Sequence, residues 1–314
     1  GPYFGRWRQG WRDAEMTAER IRAEVDLWAA RGVSCFKAKS IRPEHLEVLI
    51  ERAHQHGLKV TGHLDSGFRA SVNPRDAIRM GIDRIEHFLG GDAFPNTRPA
   101  YDSYLELDPA SRAFAEIAAL FVSHGVYFDA TMTAYGYFGE RDPEVFTPWD
   151  DESSFFTPFV RERLSGQEQR PALELFEKIY WHKRKELKAF VRAGGAHLVT
   201  TGTDHPSWGV YLAGFGLHRE MHAMVLAGLS PAQALRCATI NGADALGVGD
   251  RLGTVEVGKL ADLAIVAGNP LADIRATRKT RFVVRGGELH DARALLDSAR
   301  GCMGPTSEDE LENW

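Results

Sequence analysis

Cysteine is scarce in this sequence: its 314 residues include only three, Cys35, Cys237 and Cys302. They are far apart along the chain, so neither a disulfide framework nor a zinc site built from thiolates is expected. We therefore predict three isolated thiols, in the core or at the surface.

Long hydrophobic runs and an excess of positive charge are also missing. No apolar stretch approaches the roughly 20 residues that cross a bilayer, and no charged segment followed by an apolar core marks a signal peptide. The formal net charge is −5, from 38 basic and 43 acidic residues, and the basic residues form no stripe of the kind that binds nucleic acid. The expected partner is a small molecule, and the cellular location is left open.

What the sequence does contain is a regular alternation of short apolar runs and amphipathic helical segments. Runs typical of strands end at or near Tyr3, Lys37, His63, His87, Thr131 and Asp204. Apolar runs of four to eight residues between helices predict the buried strands of a parallel α/β sheet. From Arg251 the pattern changes to short strands joined by tight turns, which we place at 252–259, 263–266 and 281–287. We predict a barrel-like α/β domain over residues 1–248, a small β portion over 249–292 and a tail over 293–314.

Four of these predicted strands end in a residue that can act in catalysis or metal binding: Lys37, His63, His87 and Asp204. The first three lie 24 to 26 residues apart, close to the roughly 31 residues of one strand and helix in an eight-stranded barrel of about 250 residues. The carboxyl ends of barrel strands meet at one mouth, where active sites are built. The four residues are therefore expected to lie together.

A divalent metal ion explains this set of side chains best. Two neutral imidazoles and a carboxylate suit Zn²⁺ or a similar ion. A buried lysine ammonium is costly, so Lys37 must be neutralised, paired or chemically altered. Carbamylation by CO₂ would convert it into a carboxylate that can bridge two cations.

The C-terminal third adds a specific motif, Gly253-Thr254-Val255-Glu256-Val257-Gly258-Lys259-Leu260-Ala261-Asp262-Leu263. Together with the four strand-end residues and the run 239–247, it resembles the metal-dependent amidohydrolase superfamily, in particular its imidazolonepropionase-like and Xaa-Pro dipeptidase-like branch. The resemblance implies a (β/α)8 TIM-like barrel, of which strands 3–8 are present here, and a small C-terminal β-sandwich portion.

The resemblance also implies roles for the site residues. Two divalent metal ions, most simply Zn²⁺, would be bridged by Lys37 as a carbamate. His63 and His87 would hold one ion, and Asp204 would hold the other while acting as general base and acid. The implied reaction is hydrolysis of a C–N bond in an amide, a dipeptide such as Xaa-Pro, or a cyclic amide.

One expected motif is missing. The superfamily carries a His-x-His pair on its first strand, whereas this sequence has only His54-Gln55-His56, which lies in a predicted helix. Residues two apart on a helix point to different sides. A preceding segment of roughly 100 residues, two to three strand-helix units, is therefore expected to supply the pair, as part of a longer chain or as a separate one.

Other features leave alternatives open. Thr131, Tyr135 and His205 lie at or beyond strand ends, where substrate contacts and ordinary structural roles are about equally expected. The aromatic-rich insertion 139–170 suits either a lid or a contact in a homo-oligomer. A catalytically inactive fragment serving as a binding or assembly subunit, and an esterase or lactonase using the same site, are the competing functions.

Overall fold

The computed structural model describes residues 3–5, 11, 15–64, 71–90, 104–136, 142–146, 152–165, 173–204 and 213–313. The chain divides into two compact units. The first comprises Gly1–Ala130, Lys185–Thr200 and Thr239–Gly253, and the second comprises Thr131–Arg184, Thr201–Ala238 and Thr254–Trp314. The region predicted as a barrel, 1–248, thus contributes to both units.

A parallel sheet of six strands belongs to the first unit. Its strands are β1 Tyr3–Phe4, β2 Cys35–Lys39, β3 Lys59–His63, β4 Arg84–Glu86, β5 Tyr127–Asp129 and β6 Val199–Thr200. They pair in chain order, and every pair is parallel. Consecutive parallel pairing is how the strands of a (β/α)8 barrel are arranged. The predicted parallel α/β fold is confirmed, and closure of the sheet into a barrel stays a prediction.

Helices alternate with these strands and continue into the second unit. Within the described ranges the α-helices are α1 Ala18–Ala30, α2 Pro43–Gln55, α3 Pro74–Met80, α4 Arg112–His124, α5 Met132–Gly136, α6 Pro143–Phe146, α7 Pro158–Leu164, α8 Glu174–Arg192, α9 Ala213–Leu226, α10 Pro231–Ala238, α11 Ile240–Ala245 and α12 Ala292–Ala299. None of these helices is long and apolar enough to cross a membrane.

Local capping chemistry explains where the helices begin and end. The Asn73 side chain accepts a hydrogen bond from the backbone N–H of Arg75, and Pro74 occupies the first position of α3. Such a cap satisfies one of the backbone donors left free at a helix start. Gly125 ends α4 in the left-handed conformation, at φ 65°, which glycine adopts without steric cost.

The two faces of the parallel sheet differ in chemistry because successive side chains of a strand point in opposite directions. One face carries the buried apolar residues Phe36, Ala38, Val60, Ile85, Phe128 and Val199. The other face carries a row of polar residues, one per strand from β2 to β6: Lys39, His63, Glu86, Asp129 and Thr200. The last three of that row are also buried. Burying polar groups is costly unless they are paired, so the residues on this face need partners.

The second unit contains a three-stranded antiparallel sheet formed by β7 Leu263–Val266, β8 Thr280–Arg285 and β9 Glu288–Asp291. The predicted C-terminal β portion is therefore present. Its expected first strand, 252–259, instead forms turns, with Gly253 and Gly258 at φ 94° and 93°. The expected tail contains α12 and a 3-10 helix, Glu308–Asn313. Packing of this sheet as half of a β-sandwich stays a prediction.

A buried ion pair stabilises the same unit. The fully buried guanidinium of Arg219 on α9 donates two hydrogen bonds to the Glu152 carboxylate, at 3.0 and 2.5 Å. At the preceding position of the same helix, the His218 imidazole lies 2.9 Å from the Thr277 hydroxyl. Burial, together with the charges of Arg278 and Arg219, lowers the pKa of His218 to about 4.

This histidine is expected to make stability depend on pH. Below its unfolded pKa of about 6.5, the unfolded chain binds a proton that the folded chain excludes. The free energy of unfolding should therefore fall as the pH drops from 6.5 towards 4, by up to about 3 kcal/mol from this group. Urea unfolding at pH 7 and pH 4.5 measures this decrease. The free energy of unfolding should fall less between the two pH values in His218→Gln than in the unchanged chain. The control variant His124→Gln, at an exposed position, should show the same decrease in the free energy of unfolding as the unchanged chain. An equal decrease in His218→Gln and His124→Gln would mean that His218 is not its source.

Candidate functional site

Backbone strain is concentrated just beyond the carboxyl ends of the sheet strands. Among the described residues, the non-glycine positions with positive φ are Ser40 at 49°, His87 at 70°, Thr131 at 48° and Asp204 at 51°. They follow β2, β4, β5 and β6, respectively. Non-glycine residues held in this region cost roughly 1–3 kcal/mol each and cluster at functional sites. Threonine is the most unusual of the four because its β-branched side chain disfavours positive φ.

His63 and His87 form a close pair in the first unit. They lie at the carboxyl ends of the neighbouring strands β3 and β4, and their ring centroids are 4.5 Å apart with the planes at 73°. The His87 side chain is buried, and its backbone N–H donates to the Asp129 carbonyl at 2.8 Å. The structure therefore brings these two strand-end histidines together, and their metal-binding role stays a prediction.

Lys37 lies on β2, beside Thr61 of β3 in the register. Its ammonium donates a hydrogen bond to Glu86 Oε2 and forms an ion pair with that carboxylate. The lysine side chain is 33% exposed, whereas the glutamate side chain is only 6% exposed. A buried carboxylate thus partners the lysine, which satisfies the requirement that its charge be paired.

Glu86 is the centre of a wider set of contacts. Its Oε1 accepts hydrogen bonds from the Thr61 hydroxyl at 2.8 Å and from Arg84 Nη2 at 3.2 Å, and its Oε2 lies 3.8 Å from His87 Nε2. Burial alone would raise the pKa of this carboxyl, but the charges of Lys37 and Arg84 and hydrogen bonds from Lys37 and Thr61 outweigh burial and lower it. Glu86 is therefore a charged group inside the sheet's polar face.

Glu86 was not among the residues predicted from the sequence to act at the site. The alternation along β4 was available as a signal, since Arg84 and Glu86 fall on the same face, and Glu86 is level with His63 in the sheet register. The partner of Lys37 could not be identified in this way, because the pair joins residues 49 positions apart in the sequence.

Within the described ranges, no group of three or more His, Cys, Asp or Glu side chains is placed to hold a metal ion. The His63 and His87 imidazoles nevertheless fit a shared divalent cation, because their rings meet at the ends of adjacent strands. The resemblance to the superfamily implies Lys37, as a carbamate, as a third donor from the first unit. In the structure the lysine nitrogen is engaged by Glu86 instead.

The other histidine pair, His54 and His56, does not form a joint site. His54 Nε2 lies 2.9 Å from Asp83 Oδ2, whereas His56 Nε2 lies 2.7 Å from Asp26 Oδ1. The two side chains bind different carboxylates, as expected for positions two apart at the end of a helix. They therefore do not replace the expected His-x-His pair.

The remaining predicted site residues belong to the second unit or fall outside the described residues. Asp204 follows β6 by four residues, and the buried Thr131 follows β5 by two. Tyr135 on α5 is buried, stacks on Phe176 at 5.6 Å, and has the Lys183 ammonium 4.7 Å from its ring centroid. His205 lies outside the described residues. The structure therefore does not test the predicted substrate contacts.

Glu220, which was not predicted from the sequence, binds the backbone of the two residues that follow Thr131. Its fully buried carboxylate accepts hydrogen bonds from the backbone N–H groups of Met132 and Thr133, both at 2.8 Å. These donors are the first two of α5, and a helix start attracts negative charge. Glu220 thereby holds the start of α5 immediately after Thr131, a residue with strained backbone.

Replacing Glu220 with glutamine is expected to lower the free energy of unfolding by about 1–3 kcal/mol, because the amide NH₂ cannot accept the second backbone hydrogen bond. Thermal and urea unfolding of the purified variant measure this loss. Glu162→Gln, at an exposed position on α7, is the matched control and should change stability by less than about 0.5 kcal/mol. Equal stability of the two variants would mean that Glu220 does not hold α5.

Comparison with known proteins identifies the family and the fold of this chain. A sequence profile of the amidohydrolase family matches residues 14–289. A Xaa-Pro dipeptidase with bound methionine in its active site matches with a TM-score of 0.59 and 20% identity, covering 88% of this chain and 59% of its own. A Bifidobacterium longum protein assigned as a prolidase matches with a TM-score of 0.65 and 22% identity, covering 95% and 68%. Molinate hydrolase matches with a TM-score of 0.60 and 18% identity, covering 93% and 58%.

No curated protein sequence matches the chain. The chain spans about three fifths of the length of the Xaa-Pro dipeptidase. At identities of 18–22%, these solved structures establish a shared fold. The family profile covers most of the sequence and includes Lys37, His63, His87 and Asp204. The chain belongs to the amidohydrolase family.

Proposed function

We propose that this chain carries the chemistry of a metal-dependent hydrolase that cleaves a C–N bond. The observation that carries the proposal is the close pair of His63 and His87 at the ends of adjacent parallel strands, with Lys37 on the next strand. Imidazoles grouped at the carboxyl end of such a sheet suit a catalytic metal. Membership of the amidohydrolase family supports the same reaction class.

The metal-binding roles follow from the donor types. His63 and His87 would hold one divalent ion, most simply Zn²⁺, Asp204 would hold a second, and Lys37 as a carbamate would be shared between them. When bound, the ions supply polarisation of the scissile carbonyl and activation of a water molecule at neutral pH. The second ion needs further ligands, and we propose that a His-x-His strand outside this sequence provides them.

Asp204 would move the proton. Its carboxylate would accept a proton from the attacking water and then donate it to the leaving nitrogen, as a general base followed by a general acid. Its backbone position supports a functional role, because it follows a sheet strand and is held at a positive φ of 51°. Thr131 and Tyr135 would contribute substrate contacts.

The substrate class is proposed from the structural relatives. They include a Xaa-Pro dipeptidase, molinate hydrolase and phenylurea hydrolase B. A dipeptide such as Xaa-Pro, another amide or a cyclic amide would present the required carbonyl and leaving nitrogen. The competing functions are a binding or assembly subunit without catalysis, and an esterase or lactonase on the same site.

The test combines metal analysis with a substrate panel of Xaa-Pro dipeptides, N-acyl amino acids, lactams and esters, on the chain together with the segment that carries the His-x-His pair. We expect bound divalent metal, hydrolysis of a C–N substrate, loss of activity with a chelator and recovery on adding Zn²⁺. His63→Ala should lose metal, whereas His45→Ala, on the helix α2, should retain it. Metal-free protein without turnover would favour the binding subunit, and turnover confined to esters would favour the esterase.

A further inference from the structure

The C-terminal tail binds part of the aromatic-rich insertion 139–170. Residues 300–306 of the tail, which we call the strap, contact residues 152–165 of the insertion, and both segments belong to the second unit. We propose that the strap holds this part of the insertion in place and, through helix α9, also holds the backbone beside Thr131. The inference concerns packing within the second unit and does not depend on the proposed hydrolysis.

Backbone hydrogen bonds join the strap to the insertion on both sides of Met303. Met303 and Phe156 form a parallel β-bridge. The Met303 N–H donates to the Phe155 carbonyl at 2.9 Å, and the Met303 carbonyl accepts from the Thr157 N–H at 3.1 Å. The buried Thr157 hydroxyl also donates to the Pro305 carbonyl, at 2.6 Å. These bonds fix the register of the two segments, because each joins one particular residue of the strap to one of the insertion.

Arg300 adds side-chain contacts at the start of the strap. Its guanidinium donates a hydrogen bond to Ser154 Oγ and lies 4.8 Å from the centroid of the Phe155 ring. An arginine over the face of a buried aromatic ring is a favourable contact. The ion pair between Arg163 and Glu308 is largely exposed, so it contributes little to holding the tail.

Gly304 allows the strap to lie close to helix α7. Its φ is 104°, and a Cβ atom at this position would lie 2.6 Å from Cγ2 of Val160 on α7. That distance is well below van der Waals contact, and the positive φ favours glycine. A larger residue at position 304 would therefore push the strap and the insertion apart.

The insertion is connected in turn to helix α9. The Glu152 carboxylate accepts two hydrogen bonds from the buried guanidinium of Arg219 on α9. The Phe155 ring packs edge-to-face against Phe215 of the same helix, with the ring centroids 5.6 Å apart. Phe155 therefore contacts both the strap and α9, so a movement of the strap would disturb the contact with the helix.

Helix α9 carries these contacts to the end of β5. Glu220 follows Arg219 directly, and its carboxylate accepts hydrogen bonds from the backbone N–H groups of Met132 and Thr133, just after Thr131. Successive residues of a helix point about 100° apart, so Arg219 and Glu220 join α9 to two different neighbours. Arg219 and Glu220 are fully buried, and close-packed interiors transmit strain. Loosening the strap should therefore loosen the backbone after Thr131.

Hydrogen exchange of backbone N–H groups in the full chain, followed by mass spectrometry, tests the proposal without an activity assay. Gly304→Ala should raise the exchange rates roughly tenfold or more in residues 152–165 and at Met132 and Thr133, because local opening controls exchange. The strands of the first unit should keep their exchange rates. A uniform rise over the whole chain would mean general destabilisation and would overturn the proposal.

Gly258→Ala is the matched control for backbone strain. Gly258 has a similar φ of 93°, but a Cβ atom there meets nothing within 4 Å. This variant should leave exchange unchanged in residues 152–165 and at Met132 and Thr133. Equal exchange in Gly258→Ala and Gly304→Ala would overturn the strap. A rise in Gly304→Ala confined to 152–165 would overturn the connection through α9.

A second substitution tests whether the close contact with α7 is the cause. Val160→Ala removes the γ carbons and leaves the Val160 Cβ, which lies 3.6 Å from a Cβ at position 304. That distance is ordinary van der Waals contact, so Val160→Ala combined with Gly304→Ala should recover most of the lost protection. An exchange pattern identical to that of Gly304→Ala alone would contradict the close contact as the basis of the strap.

A milder variant covers the case in which Gly304→Ala does not fold. Arg300→Gln removes the side-chain contacts of Arg300 with the insertion. Arg293→Gln is its control, because Arg293 and Arg300 each bind Asp297 at 3.0 Å, whereas Arg300 also reaches the insertion. Exchange in residues 152–165 should rise in Arg300→Gln and stay unchanged in Arg293→Gln. Equal exchange in these two variants would overturn the proposal.

Discussion

Replacing Asp204 with asparagine is expected to lower kcat by about 10²- to 10⁴-fold, the usual contribution of a general acid or base, while the metal content changes little. Asparagine has nearly the same shape as aspartate, and its amide oxygen can still bind a metal ion. It cannot accept a proton from water at neutral pH, so the proton-transfer step fails. Steady-state kinetics on the best substrate of the panel and metal analysis of the same sample measure both effects.

The backbone at position 204 makes asparagine the right substitution. Asp204 is held at φ 51°, a conformation that asparagine and aspartate tolerate better than other non-glycine residues. Alanine would add backbone strain to the loss of the carboxylate, which would confuse the two effects. Asp250→Asn, at an exposed loop position, is the matched control and should retain full turnover. If Asp204→Asn also retained turnover, another residue would be the base.

The positions of several candidate site residues were predictable because they depend on short stretches of sequence. Lys37, His63 and His87 each lie within or directly beyond a short strand, and chain-order pairing brings those strands side by side. Helix caps such as Asn73 and Gly125 are equally local signals. Parallel strands joined by helices have their carboxyl ends at the same edge of the sheet. The grouping of residues at those ends can therefore be predicted from the strand-helix pattern alone.

The residues that were missed depend on contacts between distant parts of the chain. Glu86 lies 49 positions from Lys37, and Glu220 lies 88 positions from the Met132 amide that it binds. A glutamate in a strand or helix is usually a solvated surface residue. Only the folded structure distinguishes these two buried carboxylates from the many exposed ones.

The predicted strand at 252–259 was wrong for a different reason. Its alternation of Val255 and Val257 with polar residues predicted a strand, yet these two side chains are 83% and 107% exposed. Strand formation depends on a neighbouring strand to pair with, so alternation alone does not determine it. In the described structure, β7, β8 and β9 pair with one another and not with this segment.

Replacing Lys37 with alanine is expected to remove most of the bound metal, because the proposed shared carbamate ligand would be lost. Millimolar formate, acetate or propionate should restore part of the metal and of the activity, since a short carboxylic acid can occupy the space of the missing side chain and supply the two oxygens of the carbamate. Metal analysis of dialysed protein, with and without each acid, gives the result directly.

The neighbouring lysine provides the control for this substitution. Lys39 lies two residues further along β2, on the same face of the sheet and level with His63. Lys39→Ala makes the same side-chain truncation on the same strand and should retain full metal content. In Lys37→Ala, Glu86 keeps Thr61 and Arg84 as partners, so the sheet should remain folded, as circular dichroism can verify. A folded Lys37→Ala protein that holds as much metal as Lys39→Ala would exclude the carbamate and leave Lys37 as the ion-pair partner of Glu86.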